Sequence, residues 1–244
     1  MKKWIIALCL LLTALPVAAK SYSRLDRKAQ TVPTNQTETL PQLVNYLTQG
    51  LTSEEDKARV LLAWIVYNVD YDAYKSKEVI EHAYTPRAAR KLNLSTGDIF
   101  VTRIGVAEDF AELYQRMAAM AGLDAMTVTG YAGRGVTTRN MEQYRHVWNV
   151  VKIDGKWELV DPVWAMRGDT NALQDAVSDR QHQREIKKRE AGSRDATRKR
   201  RNRNIDNRWF MSDPKDFIQT HYPDDSRFQL LTTPVRIGRW LNYQ

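Results

Sequence analysis

The fold of this chain is decided by residues 145–164, which read RHVWNVVKIDGKWELVDPVW. Two runs rich in β-branched and aromatic residues, 146–153 and 156–160, flank the dipeptide Asp154-Gly155. An Asp-Gly pair between such runs is the strongest short signal for a two-residue β-hairpin turn, because both turn positions need a positive φ. The stretch therefore predicts an antiparallel hairpin.

A two-residue turn also fixes which residues of the two strands face each other. Continued outwards, the register places Trp148 opposite Asp161 and makes His146 a diagonal neighbour of Asp161 on the same face. Diagonal Cβ atoms lie about 7–8 Å apart, a gap that an imidazole and a carboxylate can close with a hydrogen bond. Such a carboxylate would orient a histidine base, as in nucleophile, base and acid triads. The alternative is an ordinary strand histidine and a turn acid before Pro162.

Helical spacing marks two segments before the hairpin. Ser53 predicts an N-terminal cap for a helix from Glu54 to about Asn68, and a second helix is expected from near residue 105 to residue 122. Alternating residues at 125–131 predict a strand. The N-terminus of the second helix is a suitable place for a thiolate nucleophile, because the helix dipole is positive there. The residue found there is Ala107.

Four short motifs follow one another in order: TRIGVAEDFAELY at 102–114, GYA at 130–132, RHVWN at 145–149 and WELVDPVW at 157–164. Together with Trp64, Ile65, Asn68, Tyr71 and Asp72 upstream, they resemble the core of the transglutaminase-like superfamily. MSDPKDFI at 211–218, HYPDD at 221–225 and QLL at 229–231 are similar to the tail of its kyphoscoliosis peptidase and cytokinesis-protein branch. The resemblance covers about residues 61–231.

The resemblance implies an α+β, papain-like fold in which the helix at the nucleophile position packs on an antiparallel sheet. Members of the family form a thioester with a glutamine or peptide carbonyl and pass the acyl group to an amine or to water. The family cysteine falls on Ala107, the histidine on His146 and the aspartate on Asp161. We expect four aromatic residues to line or support the cleft: Trp64, Tyr131, Trp148 and Trp164.

The alanine at position 107 cannot attack a carbonyl, and Cys9, the only cysteine, lies in a predicted export signal. Without its nucleophile, a triad retains only about 10³–10⁴ of acceleration over water. The sequence thus predicts a pseudoenzyme that binds a polypeptide or a peptidoglycan peptide in the cleft. Two alternatives remain open. One is a Cys-to-Ala form of an active acyl transferase or cysteine peptidase, and the other is a different nucleophile such as Thr102, Ser95 or Asp109.

No cofactor is expected. His82 and His221 are isolated in sequence and lack the spacing of metal ligands, so no metal site is predicted, and both are interpreted as surface or packing residues.

Three further segments complete the organisation of the chain. Residues 1–19 predict a cleaved signal peptide, because two lysines precede an apolar run that ends in small residues, and we expect a periplasmic or extracellular protein. Residues 20–50 are polar with no sustained period and predict an extended lead-in. Residues 51–244 are expected to form the transglutaminase-like domain. With 43% hydrophobic and 27% charged residues, the composition excludes a disordered or collagen-like chain.

A basic segment at about residues 176–207 predicts a flexible insertion in that domain. Residues 180–208 hold twelve Lys and Arg against four Asp and Glu, a surplus equal to the net charge of +8 of the whole chain. The run Arg198, Lys199, Arg200 and Arg201 suggests an alternative function, the salt-sensitive binding of an anionic polymer or lipid surface. Specific nucleic-acid binding is not expected, and a solvated loop without a partner is the simpler alternative.

Overall fold

The computed structural model describes residues 20–72, 99–167 and 203–244. The predicted signal peptide and most of the predicted basic insertion lie outside these ranges. Helices dominate the first half of the chain: α1 (Ser23–Gln30), α2 (Leu40–Thr48), α3 (Glu54–Asn68), α4 (Ile99–Thr102) and α5 (Ala107–Met120). Two short parallel strands, β1 (Asp70–Tyr71) and β2 (Ile104–Gly105), lie among them.

The second half of the chain forms an antiparallel sheet. Its strands are β3 (Ala125–Ala132), β4 (Arg145–Ile153), β5 (Lys156–Val160), β6 (Phe210–Ser212) and β7 (His221–Pro223), in the spatial order β6-β5-β4-β3-β7. Three short helices, α6 (Pro162–Arg167), α7 (Pro214–Phe217) and α8 (Ile237–Leu241), connect or follow these strands. The predicted α+β class is confirmed.

Helix α3 occupies the centre of the hydrophobic core. It has the predicted bounds, and the Ser53 hydroxyl accepts a hydrogen bond from the Asp56 backbone N–H at 3.3 Å, which caps the helix as expected. Residues 58–67 are all buried, because α3 packs against α1, α2, α5 and α6 and also contacts β4. Helix α5 covers β4 and β3, so the core fills the space between the sheet and these helices.

The predicted extended lead-in at residues 20–50 is wrong. Residues 23–30 and 40–48 form α1 and α2, and α2 begins with a capping box between Thr39 and Gln42. Helix α1 places only Leu25 and Ala29 in the core, too few apolar residues to produce a clear helical period. An ion pair with another helix holds α1 in place instead.

That ion pair joins α1 to α3. The guanidinium of Arg59, which is 1% exposed, makes two hydrogen bonds to the Asp26 carboxylate at 2.9 and 2.8 Å and a third to the Asn207 side chain at 2.7 Å. A bidentate, buried pair of this kind fixes the orientation of the two elements it joins. Residues 20–50 are therefore an integral part of the domain.

The last residues of the predicted insertion are also tied to the domain. Arg203 donates hydrogen bonds to the backbone carbonyls of Val66 and Val69 at the end of α3, at 2.8 and 2.6 Å, and pairs with Asp70. Residues 203–207 are thus anchored, so the predicted flexibility is wrong for this end of the segment, and residues 176–202 lie outside the described residues. No helix within the described ranges has both the length and the apolar character needed to cross a membrane.

Candidate functional site

The Asp154-Gly155 turn has the conformation that the sequence predicted. Both residues have a positive φ, at 49° and 81°, which is typical of the two central positions of a type I′ turn. Ile153 pairs with Lys156, and the predicted register continues along the two strands. The hairpin formed by β4 and β5 is confirmed, and it determines where the two candidate site residues lie.

His146 and Asp161 meet at the open end of this hairpin. The imidazole Nε2 of His146 lies 2.6 Å from the Asp161 Oδ2. Because an ionised carboxylate only accepts hydrogen bonds, Nε2 carries the proton and donates a hydrogen bond to Asp161. The other ring nitrogen, Nδ1, therefore has the free lone pair of a base. The diagonal contact inferred from the strand register is therefore present. The catalytic role of the two residues remains a prediction.

Asp161 is fully buried at the start of α6 and accepts hydrogen bonds on both oxygens. Its Oδ1 accepts from the backbone N–H groups of Val163 and Trp164 at 2.8 and 2.9 Å, and its Oδ2 accepts from imidazole groups. Burial alone would raise the pKa of Asp161, but the electrostatic attraction and the hydrogen bonds of the His146 and His221 imidazoles hold it below its ordinary value. The carboxylate is therefore ionised at neutral pH and can stabilise an imidazolium.

The second imidazole on Asp161 belongs to His221. His221 is completely buried, so the surface interpretation is wrong, and packing alone does not describe the residue, because its Nε2 lies 3.0 Å from the Asp161 Oδ2. His221 opens β7, which pairs with β3 and so brings a residue 60 positions away to the hairpin. The only signal in the sequence was its place in the HYPDD motif of the tail.

Aromatic rings enclose His221 on several sides. Phe217 stacks on the imidazole with a centroid distance of 4.0 Å, Trp164 packs edge-on at 4.4 Å, and Trp148 and Trp209 lie at 5.2 Å. Desolvation by these groups lowers the pKa of His221 from 6.5 to about 4, although the hydrogen bond to Asp161 acts in the opposite direction. His221 is therefore neutral at pH 7.

Ala107 is the first residue of α5 and is 5% exposed. It belongs to the same continuous core as Trp148 and Trp164, whose rings lie 6.2 and 6.3 Å from the imidazole of His146. The Asn149 amide of β4 donates a hydrogen bond to the Ala111 carbonyl at 2.9 Å, which fixes the strand to the first turns of the helix. Helix α5 thus begins with the methyl group of Ala107, and its identity with the nucleophile position of the family stays a prediction.

The backbone at the start of α5 is closely packed. The Val106 N–H donates to the Asp109 Oδ2 at 2.9 Å, which satisfies one of the donors at this helix end. A Cβ on Gly105 would lie 2.7 Å from the Asp109 Cβ and 2.8 Å from its Oδ2, so only glycine fits before the helix. The start of α5 is therefore a capped and closely packed helix end with Ala107 as its first residue.

The four predicted cleft residues fall into two pairs. Trp148 and Trp164 are buried and contact both His146 and His221. Trp64 instead packs in α3 against Phe100, and Tyr131 bonds Glu142 and stacks with Arg145. The predicted polyanion-binding residues lie outside the described residues, so their role stays a prediction: Arg198, Lys199, Arg200 and Arg201.

His146, Asp161 and His221 also form a set of potential metal ligands, with ligand atoms within 4.8 Å of one another. Two imidazoles and a carboxylate are typical of a zinc site. Ligands at about 2.0 Å around a tetrahedral zinc ion lie about 3.3 Å apart. The 2.6 and 3.0 Å contacts to the Asp161 oxygen are shorter and have the lengths of hydrogen bonds. The spacing favours proton sharing over metal coordination.

Comparison with known proteins gives consistent matches. Kyphoscoliosis peptidase of Mus musculus is 26% identical over 234 residues, which cover 95% of this chain and 30% of that protein. Hillarin of Drosophila melanogaster is 26% identical over 226 residues, covering 91% and 24%. This chain therefore spans less than a third of the length of these curated relatives.

Solved structures give a more distant likeness. A structure described as that of a TGase is 17% identical with a TM-score of 0.41, covering 70% of this chain and 39% of the other. The periplasmic domain of TgpA from Pseudomonas aeruginosa is 18% identical with a TM-score of 0.40, covering 64% and 53%. The family model described as the transglutaminase-like superfamily matches residues 41–162, which is half of the chain. The chain belongs to the transglutaminase-like superfamily.

Proposed function

We propose that this protein is an exported pseudoenzyme of the transglutaminase-like superfamily that binds a polypeptide, such as a peptidoglycan peptide, at the site around His146. The observation that carries the proposal is the asymmetry of the site. Asp161 accepts hydrogen bonds on both oxygens and holds His146, whereas Ala107 stands at the position predicted for the nucleophile. A carbonyl group held there would be bound but not attacked.

The energetics of the His146–Asp161 pair support a role beyond packing. Burying a carboxylate costs several kcal/mol, and well-packed apolar residues often stabilise a core as well or better. Ionised groups held by a specific partner in a protein interior are more frequent at functional sites than elsewhere. The pair is therefore better explained by a ligand that it contacts than by stability alone.

The shape of the site limits what can reach it. His146 is 8% exposed and Ala107 is 5% exposed, so only a small part of each residue can be reached from the surface. A slender, unbranched group can approach residues that are so little exposed. The glutamine side chain and the backbone carbonyl of an extended peptide have this shape, and they are the groups on which the family acts. The names of the peptidase relatives are consistent with a peptide ligand.

The N-terminus of α5 and the imidazole of His146 can both bind an amide group. The helix dipole of α5 places partial positive charge at its N-terminus, where it can attract a carbonyl oxygen. The His146 Nδ1 can accept a hydrogen bond from the amide nitrogen. These contacts orient the ligand, and without a nucleophile no covalent bond forms.

Export is supported by the first residues of the fold. Cleavage after Ala19 would leave Lys20, whose ammonium group pairs with Glu55 and Asp56 near the start of α3 at 3.0 and 2.7 Å. The cut would therefore keep Lys20 and both of its ion pairs in the mature chain. N-terminal sequencing of protein recovered from the periplasm or medium is expected to begin at Lys20, and a full-length cytoplasmic product would contradict export.

The binding proposal is tested by restoring the nucleophile. Ala107→Cys, incubated with N-benzyloxycarbonyl-glutaminyl-glycine and hydroxylamine, is expected to form a hydroxamate. The introduced sulfur would attack the glutamine carbonyl, ammonia would leave, and hydroxylamine would take the acyl group from the thioester. The unmodified chain should bind the same peptide, detected by quenching of tryptophan fluorescence, and release no ammonia.

The matched control is Ala107→Cys combined with His146→Gln, which keeps the thiol but removes the base. It should lose at least 100-fold of the restored rate, since general acid and base catalysis contributes about 10²–10⁴-fold. Ammonia release by the unmodified chain would contradict the pseudoenzyme. If the unmodified chain fails to bind and Ala107→Cys also gives no hydroxamate, the proposed ligand class is wrong.

A further inference from the structure

We propose that His221 is a positioning residue, which holds the Asp161 carboxylate in the orientation that His146 requires. The site then consists of a chain of three side chains, His221–Asp161–His146, rather than a histidine and an aspartate alone. The inference rests on the part of the proposed function that treats His146 and Asp161 as a preserved acid and base. It does not depend on which ligand is bound.

The proton positions follow from the contacts of His221. Its Nε2 faces the Asp161 Oδ2 at 3.0 Å, and its Nδ1 lies 2.9 Å from the Thr220 hydroxyl oxygen. A bare Nε2 would set its lone pair against a carboxylate oxygen, an arrangement of two acceptors with no proton between them. Nε2 therefore carries the proton. The Thr220 hydroxyl also has the Phe217 carbonyl within reach, at 3.4 Å, and in this tautomer it donates to the closer Nδ1. All three groups are satisfied in this tautomer, which is neutral, as burial requires.

This arrangement leaves the carboxylate no freedom to rotate. Two backbone N–H groups, of Val163 and Trp164, hold Oδ1, while the imidazoles of His146 and His221 share Oδ2. If the bond from His221 is removed, Oδ2 keeps a single donor, and the carboxylate can turn about the side fixed by the backbone. The direction in which the His146 ring points would then be less strictly defined.

The fold also prevents His221 from moving away. Phe217 stacks on one face of its ring at 4.0 Å, and the backbone of β7 is fixed to β3 through the pairing of His221 with Ala132. The residue is 0% exposed, so water cannot replace its hydrogen bond. A rigid neutral donor in this place is typical of groups that orient a charged catalytic residue.

Two substitutions separate positioning from packing. His221→Phe keeps an aromatic ring of similar size for Phe217 to stack on, but it removes the donor. His221→Gln places an amide N–H near the position of the imidazole Nε2 and should preserve the bond to Asp161. The readout is ¹⁵N and ¹H NMR of the imidazoles in the full chain at neutral pH, which reports the tautomer of each histidine and the exchange of its N–H proton with water.

In the unmodified chain we expect both His146 and His221 in the Nε2–H form with slowly exchanging protons. His221→Phe should speed exchange of the His146 Nε2–H by about tenfold, the effect of one lost hydrogen bond, and His221→Gln should restore the slow rate. A protonated Nδ1 on His221 in the unmodified chain would overturn the inference, and this measurement stands even if His221→Phe does not fold. Unchanged exchange in a folded His221→Phe would overturn it as well.

The two proposals can fail separately. An unmodified chain that binds no peptide but shows the expected tautomers would contradict the proposed ligand and leave the role of His221 intact. A titration with Zn²⁺ separates a third possibility. If one equivalent shifts the signals of both imidazoles and removes their Nε2 protons, the site is a metal site and the positioning role is overturned.

Discussion

The two halves of the candidate site differ in the side chains that they hold. The half built from β4, β5 and β7 holds three ionisable side chains joined by hydrogen bonds of 2.6 and 3.0 Å. The half built from the N-terminus of α5 keeps its backbone geometry, its glycine and its Asp109 cap, but it ends in a methyl group at Ala107. Because buried hydrogen bonds between charged groups are costly to break, we expect the stability of the fold to depend more on the acid and base half than on the side chain at position 107.

The acid and base half should therefore be the more sensitive to substitution. Asp161→Asn replaces one carboxylate oxygen by an NH₂ group. The NH₂ group then faces N–H donors, and these donors lose their acceptor. We expect a loss of about 3–5 kcal/mol in the free energy of unfolding, the usual cost of breaking a buried charged network. Urea denaturation followed by tryptophan fluorescence measures it. Asp124→Asn, at an exposed position, is the control, and equal losses in both variants would mean that the buried hydrogen bonds of Asp161 add no stability.

Acid should weaken the same half through His221. Its pKa is about 4 in the folded chain and 6.5 when unperturbed, so between these values the unfolded chain binds a proton that the folded chain does not. The contribution of His221 to the free energy of unfolding is therefore fully present above pH 6.5. It is lost as the pH drops to 4, and the loss is on the order of 3 kcal/mol. The lowered pKa of Asp161 adds a further loss at still lower pH.

His221→Gln isolates this effect, because the amide keeps a donor but does not titrate. The variant should show a smaller loss of stability between pH 6.5 and 4 than the unmodified chain when urea midpoints are compared at each pH. Parallel curves for the two proteins would show that His221 is not the titrating group.

The nucleophile half should respond mainly to changes in its backbone. Gly105→Ala places a Cβ 2.7 Å from that of Asp109, and we expect a loss of about 1–3 kcal/mol from overpacking. Gly238→Ala in α8, where no atom lies within 4 Å, should gain up to about 1 kcal/mol from helix propensity. Thermal melts of both variants provide the measurement. A neutral Gly105→Ala would mean that the helix start is loosely packed.

The sequence predicted most of the acid and base half because local rules govern a hairpin. An Asp-Gly turn fixes the register, and the register alone brings His146 to Asp161. The bounds of α3 were equally accessible, since Ser53 and the apolar period mark them. Local signals were not always used, however: α2 was missed although a capping box between Thr39 and Gln42 marks its start.

What the sequence missed depends on contacts between distant segments. His221 reaches Asp161 only because β7 pairs with β3, and no local pattern announces that pairing. Helix α1 is stable because Arg59 of α3 binds Asp26, a contact between residues 33 positions apart. Polar residues whose partners are distant in sequence look like loop residues when the chain is considered locally.

The central claim, that the site is intact except for its nucleophile, is tested most directly by the reactivity of a cysteine placed at position 107. Ala107→Cys is expected to react with iodoacetamide at pH 7 at least tenfold faster than Glu108→Cys, which lies at the same helix end but one position further along. The helix dipole and His146 should lower the thiol pKa of the first variant and raise its thiolate fraction. Adding His146→Gln should remove most of that advantage. Equal rates for Ala107→Cys and Glu108→Cys, or a rate unchanged by His146→Gln, would contradict the account.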